Sequence, residues 1–388
     1  MRSKVAYPIS EAEVYLHAQT WLDSLDLAFG GTKCTYTMMI RILLFAASRT
    51  ISIAAAVRDL SEAPSNQACY DALNACIGEV RSLQNRINQG LVTHLSRSFK
   101  RKARPMAIDL TLIPYHGKPH QDAKEIYRSQ PKSGTTHFHA YATVIVIEQG
   151  YRYTLAMTPV EYGERLKSVL IRLLNRVREL GVKVKYLTLD KEFYTVEILS
   201  FLQEHSYRFI VPIILRGRKP KVIRPESLRA LLKVKNSFYW REIQGTCDNQ
   251  SKTLRIRVCV ASKDHQDSKT NKRCRKKLLF AVSRMPLNWR TIREKYRKRF
   301  GIETSYRQMH EAKIRTSTRD PKRRLLFIAV ALILRNVWVW LHLQMATRKS
   351  NGTIEVSLEL LRFEQMLWWI TRIVDQQLNP ISTYECLT

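Results

Sequence analysis

The first hundred residues read as helical. Tyr36–Ser48 is a long apolar stretch, and "TISIAAAVRDL" (Thr50–Leu60) follows as a second helix. "SEAPSN" is a turn by composition, and "QACYDALNAC" opens a third helix. Short helices joined by a tight turn suit a helix-turn-helix unit, though any three-helix bundle gives the same pattern.

The periodicity then changes. Met106 to Ile113 is apolar and bounded by Pro105 and Pro114, as a buried strand would be. "HAYATVIVIEQGYRYTLAMTPV" holds two more strands around Gln149-Gly150, a hairpin turn. Leu166, Val169, Leu170, Leu173, Leu174 and Val177 share one face of a helix that Gly181 ends. "VKVKYLTLD" is a fourth strand finishing at Asp190, "TVEILSFLQEH" a helix, and "YRFIVPIIL" a fifth strand. The order β-β-β-α-β-α-β predicts an α/β fold with a mixed five-stranded sheet flanked by helices. Right-handed crossovers place strands four and five alongside strand one, parallel to it.

In residues 215–284, "SFYWREI", "LRIRVCVAS" and "KKLLFAVSR" alternate as an antiparallel β insertion. Between the last two, "KDHQDSKTNKRCRKK" predicts a polar loop with a mobile tip. A basic helical segment, Tyr296–Lys313, follows. Leu325–Leu343 is apolar enough to raise a membrane question, but Arg335 and Asn336 interrupt it, which favours a buried core helix. Ser357–Val374 is amphipathic. The resulting division is an all-α N-terminal domain (1–104), an α/β domain in two parts (105–214 and 285–345), the β insertion (215–284) and a helical tail (346–388).

Charge narrows the partner. The formal net charge is +32, which calls for a polyanion, nucleic acid first. An anionic membrane surface is second, without a lipidation motif or polybasic tail to support it. Residues 1–100 hold 10 Lys+Arg against 8 acids, whereas 215–284 hold 20 against 5 and 286–324 hold 13 against 4. Backbone neutralisation therefore falls to the second half. Seven scattered cysteines without a C-x-x-C argue against a disulfide framework or zinc finger and fit a reducing cytosol. The N-terminus shows no signal-peptide apolar region.

Against that charge, three acids stand out. Asp109 lies mid-strand in "AIDLT", Asp190 ends the fourth strand in "LTLDKEF", and Glu303 sits in the basic run "YRKRFGIETSYRQMHEAK". A charge within an apolar strand is costly unless paired or bound to a cation. If strands one and four are neighbours, Asp109 and Asp190 converge, and a divalent ion such as Mg²⁺ resolves their repulsion. Glu303 then tolerates a polyanion because metal lies between them. At 100° per residue, Tyr296, Arg299, Glu303, Arg307 and His310 occupy one helical arc of about 80°, suited to orienting phosphate. Gly301 weakens that helix.

Each acid also has a plainer reading. A lone Asp at a strand end is usually a cap or turn former. A lone Glu in a basic helix is usually a surface ion pair worth under about 1 kcal/mol. Asp109 has no comparable structural use. His116, His120, His137 and His139 cluster, but no cysteine joins them and phosphate contacts are as natural as zinc. Trp240, on an insertion strand, suits base stacking or simple packing.

The blocks "AIDLT", "LTLDKEF" and "YRKRFGIETSYRQMHEAKIRTS" resemble the signatures of insertion-sequence DDE transposases, over roughly residues 105–345. They are most similar to the subgroup with a Y-x₂-R-x₃-E-x₆-K signature and a β insertion before the glutamate. Tyr296, Arg299 and Glu303 match its first three positions, while the fourth falls on His310, with Lys313 the alternative. The resemblance implies an RNase H-like fold and catalytic Asp109, Asp190 and Glu303 holding two Mg²⁺ or Mn²⁺ ions. It further implies DNA contacts from Tyr296, Arg299, Arg307, His310, Lys313 and Trp240. The implied activity is cut-and-paste transposition: hydrolysis at terminal inverted repeats, then 3′-hydroxyl strand transfer into target DNA. A homodimeric synapse and a cytoplasmic, nucleoid-associated prokaryotic setting go with it. The alternatives are a catalytically inactive DNA-binding derivative and a general RNase H-like nuclease.

Overall fold

The computed structural model describes residues 9–148, 151–215, 217–218, 220–266, 273–344, 347–348, 354–355 and 361–379. Six helices come first: α1 (Glu11–Asp23), α2 (Tyr36–Ser48), α3 (Ile53–Asp59), α4 (Asn66–Ile77), α5 (Val80–Gly90) and α6 (Arg97–Arg101). Ser10, Thr35, Ser52, Ser65 and Ser96 each start one of them by accepting an otherwise orphaned helix N–H.

The strands are β1 (Arg104–Pro114), β2 (Tyr127–Lys132), β3 (Thr135–Glu148), β4 (Tyr151–Val160), β5 (Val184–Leu189), β6 (Phe209–Pro212), β7 (Phe238–Cys247), β8 (Gln250–Gln266) and β9 (Arg273–Ser283). They form one sheet in the order β2-β3-β1-β5-β6-β9-β8-β7, with β4 also paired to β3. β5 runs parallel to β1 and β6 parallel to β5, while β3 is antiparallel to both β1 and β4. The expected five-strand core is therefore present. The expected hairpin turn at Gln149-Gly150 lies outside the described residues.

The β insertion continues this sheet, because β9 pairs antiparallel with β6. Part of the stretch expected to be a loop is strand: Lys263–Gln266 pairs with Arg273–Lys276. Backbone groups can form an antiparallel ladder whatever the side chains, so a polar stretch pairs as well as an apolar one. Its expected mobile tip, 267–272, lies outside the described residues.

α7 (Leu166–Glu179) and α8 (Val196–Glu204) are the crossover helices, followed later by α9 (Trp289–Arg297), α10 (Gly301–Glu311), α11 (Pro321–Gln344) and α12 (Phe363–Leu378). The basic segment expected as one helix is thus two, joined by a 3-10 turn over Lys298–Phe300. α11 is long and apolar enough to cross a membrane, yet 94% of its apolar window is buried inside the protein. Its two interrupting polar residues are bonded within the core. Asn336 accepts from Thr154 N and donates to Thr154 O and Leu91 O, and Arg335 donates to Arg152 O and Gln308 Oε1. The expected C-terminal amphipathic stretch is α12, which buries Phe363, Met366, Ile370 and Val374; residues 356–360 lie outside the described ones.

One hydrophobic core runs from Val14 to Leu378. In it α1 and α2 pack on α12, and α5 packs on α11 and β4.

Candidate active site

Strand register brings the first two acids together. Ile108 pairs with Leu189 on parallel β5, so the following residues, Asp109 and Asp190, stand side by side. Asp109 faces the same side of the sheet as its partner Thr143. α10 lies over that face, with Ile302 and Tyr306 packed on Ala107, Ile145 and Ile147. The Tyr306 hydroxyl donates to Asp109 O at 3.0 Å and bonds Thr143 Oγ1 at 2.7 Å, which pins α10 to β1 and β3.

Glu303 and Arg299 are delivered by the turn between α9 and α10. Asn288 caps α9 through Arg290 N and Thr291 N, and the 3-10 turn then carries Arg299 inward. Arg299 is 5% exposed and lies at the centre of the site. Its Nη1 is 2.7 Å from Asp109 Oδ2, and its Nη2 lies 3.2 Å from Asp190 Oδ1 and 3.7 Å from Glu303 Oε1. Its Nε donates to the Tyr296 hydroxyl at 3.2 Å, and the rings of Tyr296 and Phe300 flank it. The three acids, remote in sequence, thus gather on one guanidinium. Asp190 precedes a 3-10 turn but makes no side-chain cap bond, so the capping reading does not describe it.

Burial pushes the Asp109 carboxyl up to about 6, against the opposing pull of Arg299 and with the help of Asp190. Burial also pushes the Tyr296 hydroxyl up to about 12. For Arg299, burial acts to lower the pKa, but Asp109, Tyr296 and Asp190 outweigh it and the net shift is upward. Three carboxylates around one guanidinium leave an excess of negative charge, and oxygen donors suit Mg²⁺ or Mn²⁺. Among the described residues no three His, Cys, Asp or Glu side chains stand at metal-ligating spacing. The acids are set apart by the guanidinium between them, so the donor chemistry fits a hard cation and the spacing fits Arg299.

The other expected site residues are more dispersed. Arg307 is exposed and His310 half-buried on α10, and Lys313 lies past its end. Burial, then Lys313 and Lys132, depress the His310 pKa. Trp240 is 48% exposed on edge strand β7, with the guanidiniums of Arg255 and Arg257 4.9 and 5.1 Å from its ring centroid. It lies four inter-strand steps from β5, roughly 19 Å across the sheet. His139 is buried against Tyr115, and the four expected histidines form no metal cluster among the described residues.

Two contributors escaped the sequence reading. Tyr306 was signalled only by its place three residues after Glu303. Phe300 is an aromatic left 47% exposed beside Arg299, and a bulky apolar residue in a basic run was its only sign.

The sequence model of one family, described as "Transposase DDE domain", matches residues 100–337, which include all three acids. No curated protein sequence matches the chain. Among solved structures, a piggyBac transposase synaptic complex with hairpin DNA, determined by cryo-EM, superposes with a TM-score of 0.55 at 12% identity, covering 96% of this chain and 80% of that one. That likeness shows the shared RNase H-like transposase fold. With more than half of its length matched, the chain belongs to the transposase DDE domain family and is a DDE-type transposase.

Proposed function

We propose that Asp109, Asp190 and Glu303 are the catalytic acids of a cut-and-paste DNA transposase of the Y-x₂-R-x₃-E-x₆-K subgroup. Their convergence on Arg299 is the observation that carries this reading. A sheet has little structural use for two adjacent carboxylates, and a DNA-binding protein gains nothing from acids facing phosphate.

The three acids would hold Mg²⁺ or Mn²⁺, two ions per site. Bound there, the ions would activate the attacking oxygen and stabilise the leaving oxygen of a phosphodiester. Water is the first nucleophile, cutting at the terminal inverted repeats, and the freed 3′-hydroxyl then attacks target DNA. Arg299 keeps the acids gathered, and Tyr306 fixes the strand that carries Asp109. Arg307, His310 and Lys313 extend along the DNA path with Tyr296 beside Arg299. Trp240, beside two arginines, offers a stacking surface for an unpaired base. The hairpin DNA of the solved piggyBac complex supports a hairpin intermediate and action on paired ends, hence a homodimeric synapse, here too. A cytoplasmic, nucleoid-associated setting belongs to the same proposal.

The test uses DNA from the flanks of the reading frame, where inverted repeats are expected. With Mg²⁺ or Mn²⁺ the purified chain should nick these ends. Asp109→Asn and Glu303→Gln should lose at least about a hundredfold in rate, on the order of 3 kcal/mol, while still binding the DNA. Cleavage by either variant at the unaltered rate would remove that residue from the reaction.

A further inference from the structure

The sheet face that carries Asp109 continues along β1 through Thr111 to Ile113, whose partners on β3 are Tyr141 and His139. Beyond Ile113, roughly 13 Å along the strand from Asp109, a cavity of about 370 Å³ opens between the sheet, the segment after α10, and α11. That volume sits at the small end of ligand pockets, roughly 300–1,000 Å³, and has no room for a duplex.

The lining is cationic and aromatic. Lys313 and Arg324 reach it, and no Asp or Glu lines it. The Lys313 ammonium has no hydrogen bond or ion pair with any described residue. His139 is 4% exposed, and its buried Nε2 has no hydrogen-bond partner among the described residues. Arg324, 7% exposed, spends its Nε on Thr318 O and lies 4.6 Å from the centroid of the Tyr115 ring. Proteins rarely leave buried polar atoms and cations unmatched, and this lining lacks an anion and an acceptor. A metal is excluded by the same charges. An inorganic anion would match the cations but fill only a small part of the cavity of about 370 Å³.

We propose that the cavity takes a single unpaired, phosphorylated nucleotide of the DNA strand that leaves the acids along β1. Its phosphate meets Lys313 and Arg324, its base lies against Tyr115 and Phe327, and His139 Nε2 bonds the base edge. This rests on the reading that DNA crosses Asp109, and it adds a second point at which that strand is held.

The experiment reads binding by the full chain in EDTA, where no cleavage occurs. Fluorescence anisotropy at fixed salt compares a blunt duplex with the same duplex carrying one 5′-phosphorylated unpaired nucleotide. The unpaired nucleotide should tighten binding about tenfold, and free thymidine 5′-monophosphate should compete that gain away. Ser317→Trp, at the exposed mouth of the cavity, should erase the gain and leave blunt-duplex affinity unchanged. Lys313→Ala should erase it while weakening both duplexes. Equal binding of the two duplexes overturns the proposal. If the mononucleotide nevertheless binds, the cavity serves a free nucleotide instead; if it does not, the cavity is not a nucleotide site. A failed catalytic assignment would show separately, as cleavage surviving Asp109→Asn, and would leave these binding ratios untouched.

Discussion

Asp109 and Arg299 divide the electrostatic work of the site between them. Burial raises the Asp109 pKa from 3.8 to about 6. A folded-state value above the unfolded one means that the native protein holds this proton more tightly. The resulting stabilisation is full below about pH 4 and is lost as pH rises through about 6. In chelator, the stability of the wild type relative to Asp109→Asn should therefore fall by up to roughly 3 kcal/mol between pH 4 and 6.5, at about 1.4 kcal/mol per pK unit. Urea titrations across that range measure it, and a pH-independent difference would contradict it. Arg299→Ala removes the common partner of two part-buried carboxylates and should cost about 3–5 kcal/mol. Glu303 is 60% exposed, so Glu303→Gln should change stability by less than about 0.5 kcal/mol while stopping cleavage. The candidacy of Asp109 was legible in the sequence, because a charge inside an apolar strand lacks a structural use. The place of Arg299 among all three acids was not, because it depends on the register of β1 against β5 and on a turn 190 residues from Asp109 in sequence.

At the scale of elements, apolar strands and capped helices could be read from the chain, and polar pairing could not. β2 and the outer arms of β8 and β9 carry polar side chains whose pattern matches a loop, yet their backbones pair. The break between α9 and α10 was signalled by Gly301, but its packing was not. A Cβ at Gly301 would come 2.0 Å from Arg152 Nε, so the arginine occupies the space a side chain would need. The backbone of Gly301 is helical, and alanine there would gain about 1 kcal/mol in propensity. Gly301→Ala should therefore fail to stabilise the wild type, because Arg152 must move. In an Arg152→Ala background the same substitution should gain about 1 kcal/mol. A double-mutant cycle by chemical denaturation measures this coupling, and additive effects would show that Arg152 yields freely.

For the whole molecule, the decisive feature is how the N-terminal helices join the sheet. Composition separates residues 1–100, nearly neutral, from the strongly basic remainder, but apolar packing does not follow charge. Asn88 bonds both the N–H and the C=O of Met157 on β4, and Asn336 links Leu91 O just past α5 with Thr154 on β4. These buried amides tie α5, α11 and β4 into one unit. Removing Asn336 takes the partner from the N–H and the C=O of Thr154, at about 1–3 kcal/mol for each group that water cannot reach, while Leu91 O keeps the Tyr153 hydroxyl. Asn336→Ala should therefore destabilise the protein by several kcal/mol. Hydrogen exchange should then speed up together for the amides of α2 and of β1 and β5, although none of them touches Asn336 through a hydrogen bond. Faster exchange in the sheet with α2 unchanged would mean that the helices fold as a separate unit. A joint response instead makes the N-terminal helices part of the scaffold that holds Asp109 beside Asp190, so that a contact made by those helices on DNA could bear on the geometry of the acids.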